Sequence, residues 1–581
     1  MMNLRTIGCI FLFLMLAGCS SSGGERQAPN RPNVIVIVLD DVGFSDLGAY
    51  GSEIRTPAID SLAAEGLRYN RFDTKAICSA TRASLLTGRN AQSIRMGELP
   101  SRLKAADPSD LSKTKGELPD TIQTIAQRLQ LAGYGTYALG KWHLAPEYEQ
   151  TPEGARASWP LQRGFDKYYG FLSGWTDQFR PLLASDNAVL GVRQETEGYH
   201  LTSDLVDHAI SWLSSHRGAS PQKPYFLYLA LGAAHAPIQA PKASIDRYEA
   251  AYDQGWDAVR LERFARMKAL GVIPASTRLP APNPGDRRWK DLSDTEKRVF
   301  ARFMEVYAGF VDHADAEIGR LLADLKQSGD FDNTLIMLMS DNGAAGEAGQ
   351  LGRFEHPYSG SMTIEAMDQQ LDDLGSVRSS ALYPRPWGMV GATPFERYKV
   401  WPQAGGVRAP LIISWPERIE DRGAVRSQFV DVIDLAPTIA EAAGVSFPDV
   451  INGVPQLPVA GRSILTTFAS GNAPAARSVQ YFELRGNRSI TAGDWKAVAM
   501  HRIGDPFDAD EWSLHFVPTD FSESVDVASQ NPSKLEELKD LWWREARQYA
   551  SPPLVESPRA TFNFYQFGDA FLPPEPSDGK N

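Results

Sequence analysis

The sequence has 581 residues, 43% of them apolar and 22% charged, with a formal net charge of -12. This length excludes a single small domain, and the apolar content excludes a disordered chain. The negative balance excludes nucleic acid as a partner, since phosphate backbones are bound by clustered Lys and Arg. It also gives no long-range attraction for an anionic substrate, so an anion site has to be built locally.

Arg5 precedes an apolar run from Ile7 to Ala17. The run is too short for a mature membrane helix and suits a signal peptide. It ends in Leu16-Ala17-Gly18-Cys19, which looks like a bacterial lipobox. Residues 1–18 are therefore expected to be a lipoprotein signal. Cys19 is expected to carry the lipid that anchors the chain to a membrane, and residues 19–32, with Ser20 to Gly24, read as a flexible tether. Ser20 points to the outer membrane and to a periplasmic or cell-surface location. The alternative is an ordinary cleaved signal with a chance cysteine. The other cysteines are Cys9, lost with the signal, and Cys78. Cys78 then stands alone in an exported chain, where an unpaired thiol has to be buried, reactive or modified.

Beyond the tether, Asn33 to Leu39 is a continuous β-branched run, the mark of a strand buried on both faces. Further apolar runs follow helical patterns. Gly135 to Leu139 follows Asp120 to Leu131, Tyr225 to Leu231 follows Ser203 to Ser214, and Thr334 to Met339 follows Thr295 to Lys326. Leu411 to Ser414 is one more short run. This alternation predicts a parallel α/β sheet covered by helices on both faces. A polar, Pro-rich stretch over about 236–293 and a second irregular stretch over 343–394 read as loops of functional kind. From about 475 the pattern changes. Ser478 to Leu484, Trp495 to Met500 and Leu514 to Val517 predict short antiparallel strands, and Glu536 to Tyr549 a closing helix. The expected division is a catalytic α/β domain over 33–470 and a small α+β domain over 471–581.

Four clusters lie just past the C-terminal ends of predicted strands, the edge at which open α/β sheets bind ligands. They are Asp40-Asp41, Gly140-Lys141-Trp142-His143, Ala233-Ala234-His235-Ala236-Pro237 and Ser340-Asp341-Asn342-Gly343. The carboxylates and the Asn amide form an all-oxygen set, suited to a hard cation, calcium before magnesium. Taken singly, each cluster also reads as an ordinary turn or cap. The segment from Cys78 to Arg89 predicts a helix that starts just after Cys78 and stops at Gly88. Its N-terminus presents free N–H groups to an anion, and Cys78 and Arg82 share one face. A buried cysteine at the start of an ordinary helix is the alternative.

Cys78-Ser79-Ala80-Thr81-Arg82 with Leu86-Thr87-Gly88-Arg89 resembles the signature of type I sulfatases, whose cysteine is oxidised to formylglycine. The resemblance extends over nearly the whole mature chain and takes in Asp40-Asp41, Gly140 to His143, Asp341 to Gly343 and Gly405-Gly406-Val407-Arg408. Glu305 to Leu321 and Asn452 to Pro458 are most similar to large bacterial arylsulfatases. The resemblance implies an alkaline-phosphatase-like mixed sheet flanked by helices, with a smaller C-terminal α+β domain.

It also implies roles. Asp40, Asp41, Asp341 and Asn342, with formylglycine 78, would bind calcium, with magnesium as the substitute. Arg82 and His143 would hold the hydrated aldehyde, and Lys141, His235 and Lys399 the sulfate group. In that chemistry one hydroxyl of the hydrate attacks sulfur. The second then expels sulfate, with His143 as the simplest base, and His235 or Lys399 serves the leaving oxygen. The implied activity is hydrolysis of aryl or carbohydrate sulfate esters. The implied partners are such an ester and a formylglycine-generating maturation enzyme.

Three stretches depart from the pattern. Ala80 stands where many relatives have Pro, Gln403-Ala404 where His-Glu is usual, and Ala392 where Asn is common. The last two flank Lys399 and bear on the leaving-group pocket. The rival functions are a phosphonate or phosphate ester hydrolase of the same superfamily and a non-catalytic lipoprotein that binds sulfated glycans.

Overall fold

The run Asn33–Leu39 becomes the strand on which the architecture is organised. The computed structural model describes residues 31–100, 116–119, 121–355, 362–502, 504–549 and 554. The expected signal peptide, Cys19 and nearly all of the tether lie outside the described residues.

The main sheet has ten strands. In chain order they are β1 (Asn33–Leu39), β2 (Leu67–Tyr69), β3 (Gly135–Lys141), β4 (Lys167–Phe171), β5 (Leu182–Ser185), β6 (Ala188–Val192), β7 (Tyr225–Ala230), β8 (Thr334–Ser340), β9 (Leu411–Ser414) and β10 (Val425–Arg426). Their spatial order is β10-β2-β9-β8-β1-β7-β3-β4-β5-β6. The centre, β8-β1-β7-β3-β4, is parallel, and β9, β5 and β6 run antiparallel to their neighbours. The sheet is therefore mixed, as the resemblance implied, and not parallel throughout as the alternation of strands and helices predicted, because β5 and β6 turn back through short connections and β9 runs back from the edge where β8 ends.

Successive side chains of β1 feed two separate cores. Ile35, Ile37 and Leu39 pack on one face, and Val34, Val36 and Val38 on the other. Burying each of these side chains contributes about 1.5–3 kcal/mol, which commits the run to the middle of the sheet. The first face is covered by α1 (Pro57–Ala64), α4 (Leu201–Ala219) and the 35-residue α6 (Asp294–Ser328). The second is covered by α2 (Cys78–Thr87), α3 (Ile125–Leu131) and α7 (Leu435–Ala442). Helix α6 starts where Ser293 and Glu296 form a reciprocal capping box. Helix α3 starts later than the apolar pattern suggested, because Thr124 and Gln127 close a capping box there.

The Pro-rich stretch over 236–293 is not all loop. It contains α5 (Gly255–Ala269), whose Trp256, Val259 and Met267 are buried. Arg260 and Arg263 are buried on the same helix, and this mixing of charge with apolar side chains hides the stripe from a hydropathy reading.

A second sheet has four antiparallel strands in sequential order: β11 (Val479–Leu484), β12 (Asn487–Ala492), β13 (Trp495–Ala499) and β14 (Trp512–Phe516). Strand β12 was not expected. Its Asn-Arg-Ser start is polar, yet the Arg485-Gly486 turn folds it back onto β11. Helix α8 (Pro532–Gln548) closes this sheet with Leu538, Trp542 and Ala546.

Candidate active site

In parallel strands the register decides which C-terminal residues become neighbours. Leu39 pairs with Ser340 across β1 and β8, Val38 with Ala230 across β1 and β7, and Gly140 with Ala230 across β3 and β7. The next residues along each chain, Asp40-Asp41, Asp341-Asn342, the loop to His235, and Lys141 to His143, therefore emerge side by side. Asp41 and His143 both adopt left-handed backbone, with φ of 59° and 55°. Such conformations are uncommon away from Gly and cluster at functional sites.

Helix α2 brings Cys78 to this edge. Gly88, at φ 66°, ends the helix, and Ser84 O accepts its N–H. Thr81 Oγ1 accepts the Lys75 N–H at 2.9 Å, which fixes the chain entering the helix. Cys78 Sγ lies 3.2 Å from His143 Nδ1, and both side chains are buried. One turn further on, Arg82 donates through Nε to Asp341 Oδ2 at 2.8 Å, and its Nη2 is 2.7 Å from the same oxygen. Its Nη1 donates to Lys141 O at 3.2 Å and points at Tyr228 Oη, 3.5 Å away.

Two lysines complete the cage. Lys141 Nζ donates to Asp40 Oδ2 at 2.6 Å, and Lys399 Nζ donates to Asp41 Oδ2 at 2.9 Å. Lys399 is also 3.0 Å from Glu347. Asn342 donates to Asp41 Oδ1 at 2.6 Å, and His235 Nε2 lies 3.6 Å from Asp41. All ten residues singled out beyond Cys19 thus meet in one cluster. The sequence reading missed Glu347 and Tyr228. Glu347 lies in an irregular stretch without a pattern, and Tyr228 reads only as one more core residue of β7.

The charges explain one another. Burial pushes Asp40 and Asp341 up, more than their cationic neighbours pull them down. Burial also works on Asp41, but Lys399 and His235 outweigh it and hold that carboxyl below the usual range. Lys399 stays well above its ordinary value because Asp41 and Glu347 prevail over burial. Burial raises the Cys78 thiol. Burial, then Lys141 and Arg82, holds His143 well below the ordinary histidine value, so its imidazole is neutral. Burial lowers His235 to about 4 despite Asp41, and Lys399 and Lys141 add to the fall. A neutral imidazole beside residue 78 is able to accept a proton.

Asp40, Asp41 and His235 have donor atoms within 4.8 Å of one another, a spacing that suits one metal ion. Asp40 Oδ1 and Asn342 Oδ1 are buried oxygens with no hydrogen-bond partner. Buried oxygens are normally satisfied, so this pair fits a hard cation.

The sulfatase family profile matches residues 32–445. The chain belongs to the sulfatase family. A second profile, N-sulphoglucosamine sulphohydrolase, C-terminal, matches residues 398–532. An uncharacterized sulfatase of Schizosaccharomyces pombe is 32% identical over 541 residues, covering 89% of this chain and 94% of that protein. An arylsulfatase of Klebsiella aerogenes is 32% identical over 485 residues, covering 81% and 98%. Among solved structures, i-CgsB in complex with k-i-k-neocarrahexaose superposes with a TM-score of 0.63 at 23% identity, over 92% of this chain and 97% of that one. A phosphonate monoester hydrolase of Agrobacterium radiobacter gives 0.52 at 19% identity, over 89% and 96%. These likenesses agree with the alkaline-phosphatase-like fold. The sulfatase is an enzyme of sulfate ester hydrolysis.

Proposed function

We propose that this sulfatase cleaves its ester with residue 78 as the nucleophile, after oxidation of Cys78 to formylglycine. The observation that carries the reading is the placement of Cys78. It sits in the first turn of a buried helix, 3.2 Å from a neutral His143, and is ringed by Arg82, Lys141 and Lys399.

Sγ stands where the hydrated aldehyde's oxygens would lie. His143 takes the proton that must leave the hydrate when sulfate is expelled. Arg82, held by Asp341, orients residue 78. Lys141 and Lys399 face the sulfuryl oxygens and offset their charge, with His235 beside them. Lys399, which stays protonated, supplies the proton or the cation for the leaving oxygen, with His235 beside it. Asp40, Asp41, Asp341 and Asn342 would hold calcium, or magnesium in its place, which supplies further charge neutralisation for the sulfate.

The substrates proposed are aryl or carbohydrate sulfates, the carbohydrate class being supported by a structural relative solved with its substrate D-glucosamine-2-N,6-O-disulfate. Activation of Cys78 would require a formylglycine-generating maturation enzyme. We also propose lipid anchoring at Cys19 and an outer-membrane, periplasmic or cell-surface location, on the strength of Leu16 to Cys19. Among the described residues, no helix is long and apolar enough to cross a membrane.

The test compares nitrophenyl sulfate with nitrophenyl phosphonate. Faster sulfate turnover that is lost in Cys78→Ala supports the reading. Dominant phosphonate turnover would favour a phosphonate ester hydrolase. Binding of sulfated glycans without turnover of either ester would favour a binding lipoprotein.

A further inference from the structure

Beyond Asn342 the chain is pressed against the segment that carries Lys399. Gly343 N–H donates to Gly406 O at 3.0 Å, and Lys399 N–H donates to Ala344 O at 2.9 Å. A Cβ at position 343 would meet Gly405 O, and one at 346 would meet the ring of Tyr398. The two segments therefore hold each other at backbone contact, and the place of Glu347 relative to Lys399 is fixed.

From Ser340 to Ala348 every residue is buried except Glu347. Its side chain is 27% exposed, against 5% for Lys399 and 2% for Asp41. Glu347 Oε1 lies 3.0 Å from Lys399 Nζ, and Oε2 makes no hydrogen bond among the described residues. Glu347 is thus a carboxylate that is both open to solvent and in contact with the cluster around residue 78.

Neither of two simpler roles accounts for it. Glu347 is not one of the acidic groups whose donor atoms converge as a metal site, which are Asp40 and Asp41. Lys399 already has a buried partner in Asp41, at 2.9 Å. Binding of the sulfuryl group, itself anionic, is weakened by one more negative charge nearby. The carboxylate has a use on the other side of the ester. Lys399 serves the leaving oxygen in the proposed function, so the oxygen's own substituents come next to Glu347. An anionic substituent there would be repelled, whereas a hydroxyl or an ammonium group would donate to Oε2.

We propose that Glu347 is a specificity-determining residue that stands beside the leaving group and excludes anionic substituents, so that the preferred sulfate esters have neutral or cationic leaving groups. The inference rests on the placing of Lys399 at the leaving oxygen and adds the charge class of the substrate.

The test measures kcat/KM for nitrophenyl sulfate and for nitrophenyl sulfates with a carboxylate or an aminomethyl group on the ring beside the ester. Differences in intrinsic reactivity cancel when the ratios in a variant are compared with those in the wild type. Glu347→Gln keeps the shape and removes the charge. It is expected to raise the ratio of carboxylated to plain ester by roughly tenfold, the scale of one close charge contact at a partly exposed site, and to lower the ratio for the aminomethyl ester. Glu347→Asp keeps the charge and is expected to leave both ratios near the wild-type values. Unchanged ratios in Glu347→Gln would overturn the proposal even if every rate fell, because the residue would then only prop Lys399. Equal shifts in Glu347→Asp and Glu347→Gln would overturn it too, since charge would not be the cause. Failure of the wild type on all three esters, with residue 78 matured, would instead sink the proposed sulfate chemistry, and this inference with it.

Discussion

Arg82 and Asp341 are 259 positions apart in the chain and meet side by side, with Nε 2.8 Å and Nη2 2.7 Å from one carboxylate oxygen. Both are fully buried, so neither charge has water to fall back on. The pair ties the nucleophile helix to the end of β8 and thereby fixes residue 78 against the acidic cluster. Arg82→Ala leaves Asp341 buried and unpaired, which costs about 3–5 kcal/mol. Urea unfolding is expected to show that loss, with nitrophenyl sulfate turnover down by more than a hundredfold. Arg82→Lys keeps a charge and loses the planar fork, so it is expected to fall between the two.

Gly174 makes a sharper test of His143, because it perturbs the imidazole without removing it. A Cβ at position 174 would stand 2.6 Å from His143 Cε1 and 2.7 Å from Nε2. The ring has to leave its present position beside residue 78. Gly174→Ala is expected to lower kcat by ten- to a hundredfold and to cost only about 1–2 kcal/mol in stability from overpacking. Wild-type kcat in this variant would remove His143 from the proton-transfer role.

The oxygen cluster predicts dependence on a divalent cation. Chelation is expected to abolish activity, with calcium restoring it better than zinc, given donors that are mostly carboxylate and amide oxygens. Calcium at a hundred times its Kd is expected to stabilise the fold by about 2.7 kcal/mol. Asp41→Asn weakens the site and is expected to shrink both effects. Full activity after exhaustive chelation would contradict the assignment.

A pH effect on stability follows from Asp315, on α6. It accepts the Ile59 and Ala58 N–H groups at 2.8 and 3.1 Å and so caps α1. Burial pushes its carboxyl up to about 7, from an ordinary value of 3.8. The folded state then binds the proton more tightly than the unfolded state. The stabilisation is complete below pH 3.8 and is lost as pH rises through about 7. Asp315→Asn is expected to flatten the fall in stability over that window, by at most about 4 kcal/mol. Denaturant midpoints across the window give the measurement. Equal slopes in the two proteins would contradict it.

The sequence made the functional edge of the sheet legible because β-branched runs and polar clusters alternate along it. Asn33 to Leu39 ends in Asp40-Asp41, and Thr334 to Met339 ends in Ser340-Asp341-Asn342. Chain order alone could not give β8-β1-β7-β3, which is what makes those ends neighbours. Strands β5 and β6 escaped because they lie at an exposed edge, where Leu182, Leu190 and Val192 face solvent and no continuous apolar run is needed. Glu347 was invisible for a different reason. It acquires meaning only through Lys399, a partner distant in sequence.

The most direct test of the central claim is the mass of the tryptic peptide Ala76 to Arg82, from active protein made in its native host. The account predicts a peptide lighter than the sequence mass by the difference between a thiol side chain and an aldehyde. An intact Cys78 thiol in fully active protein would contradict it.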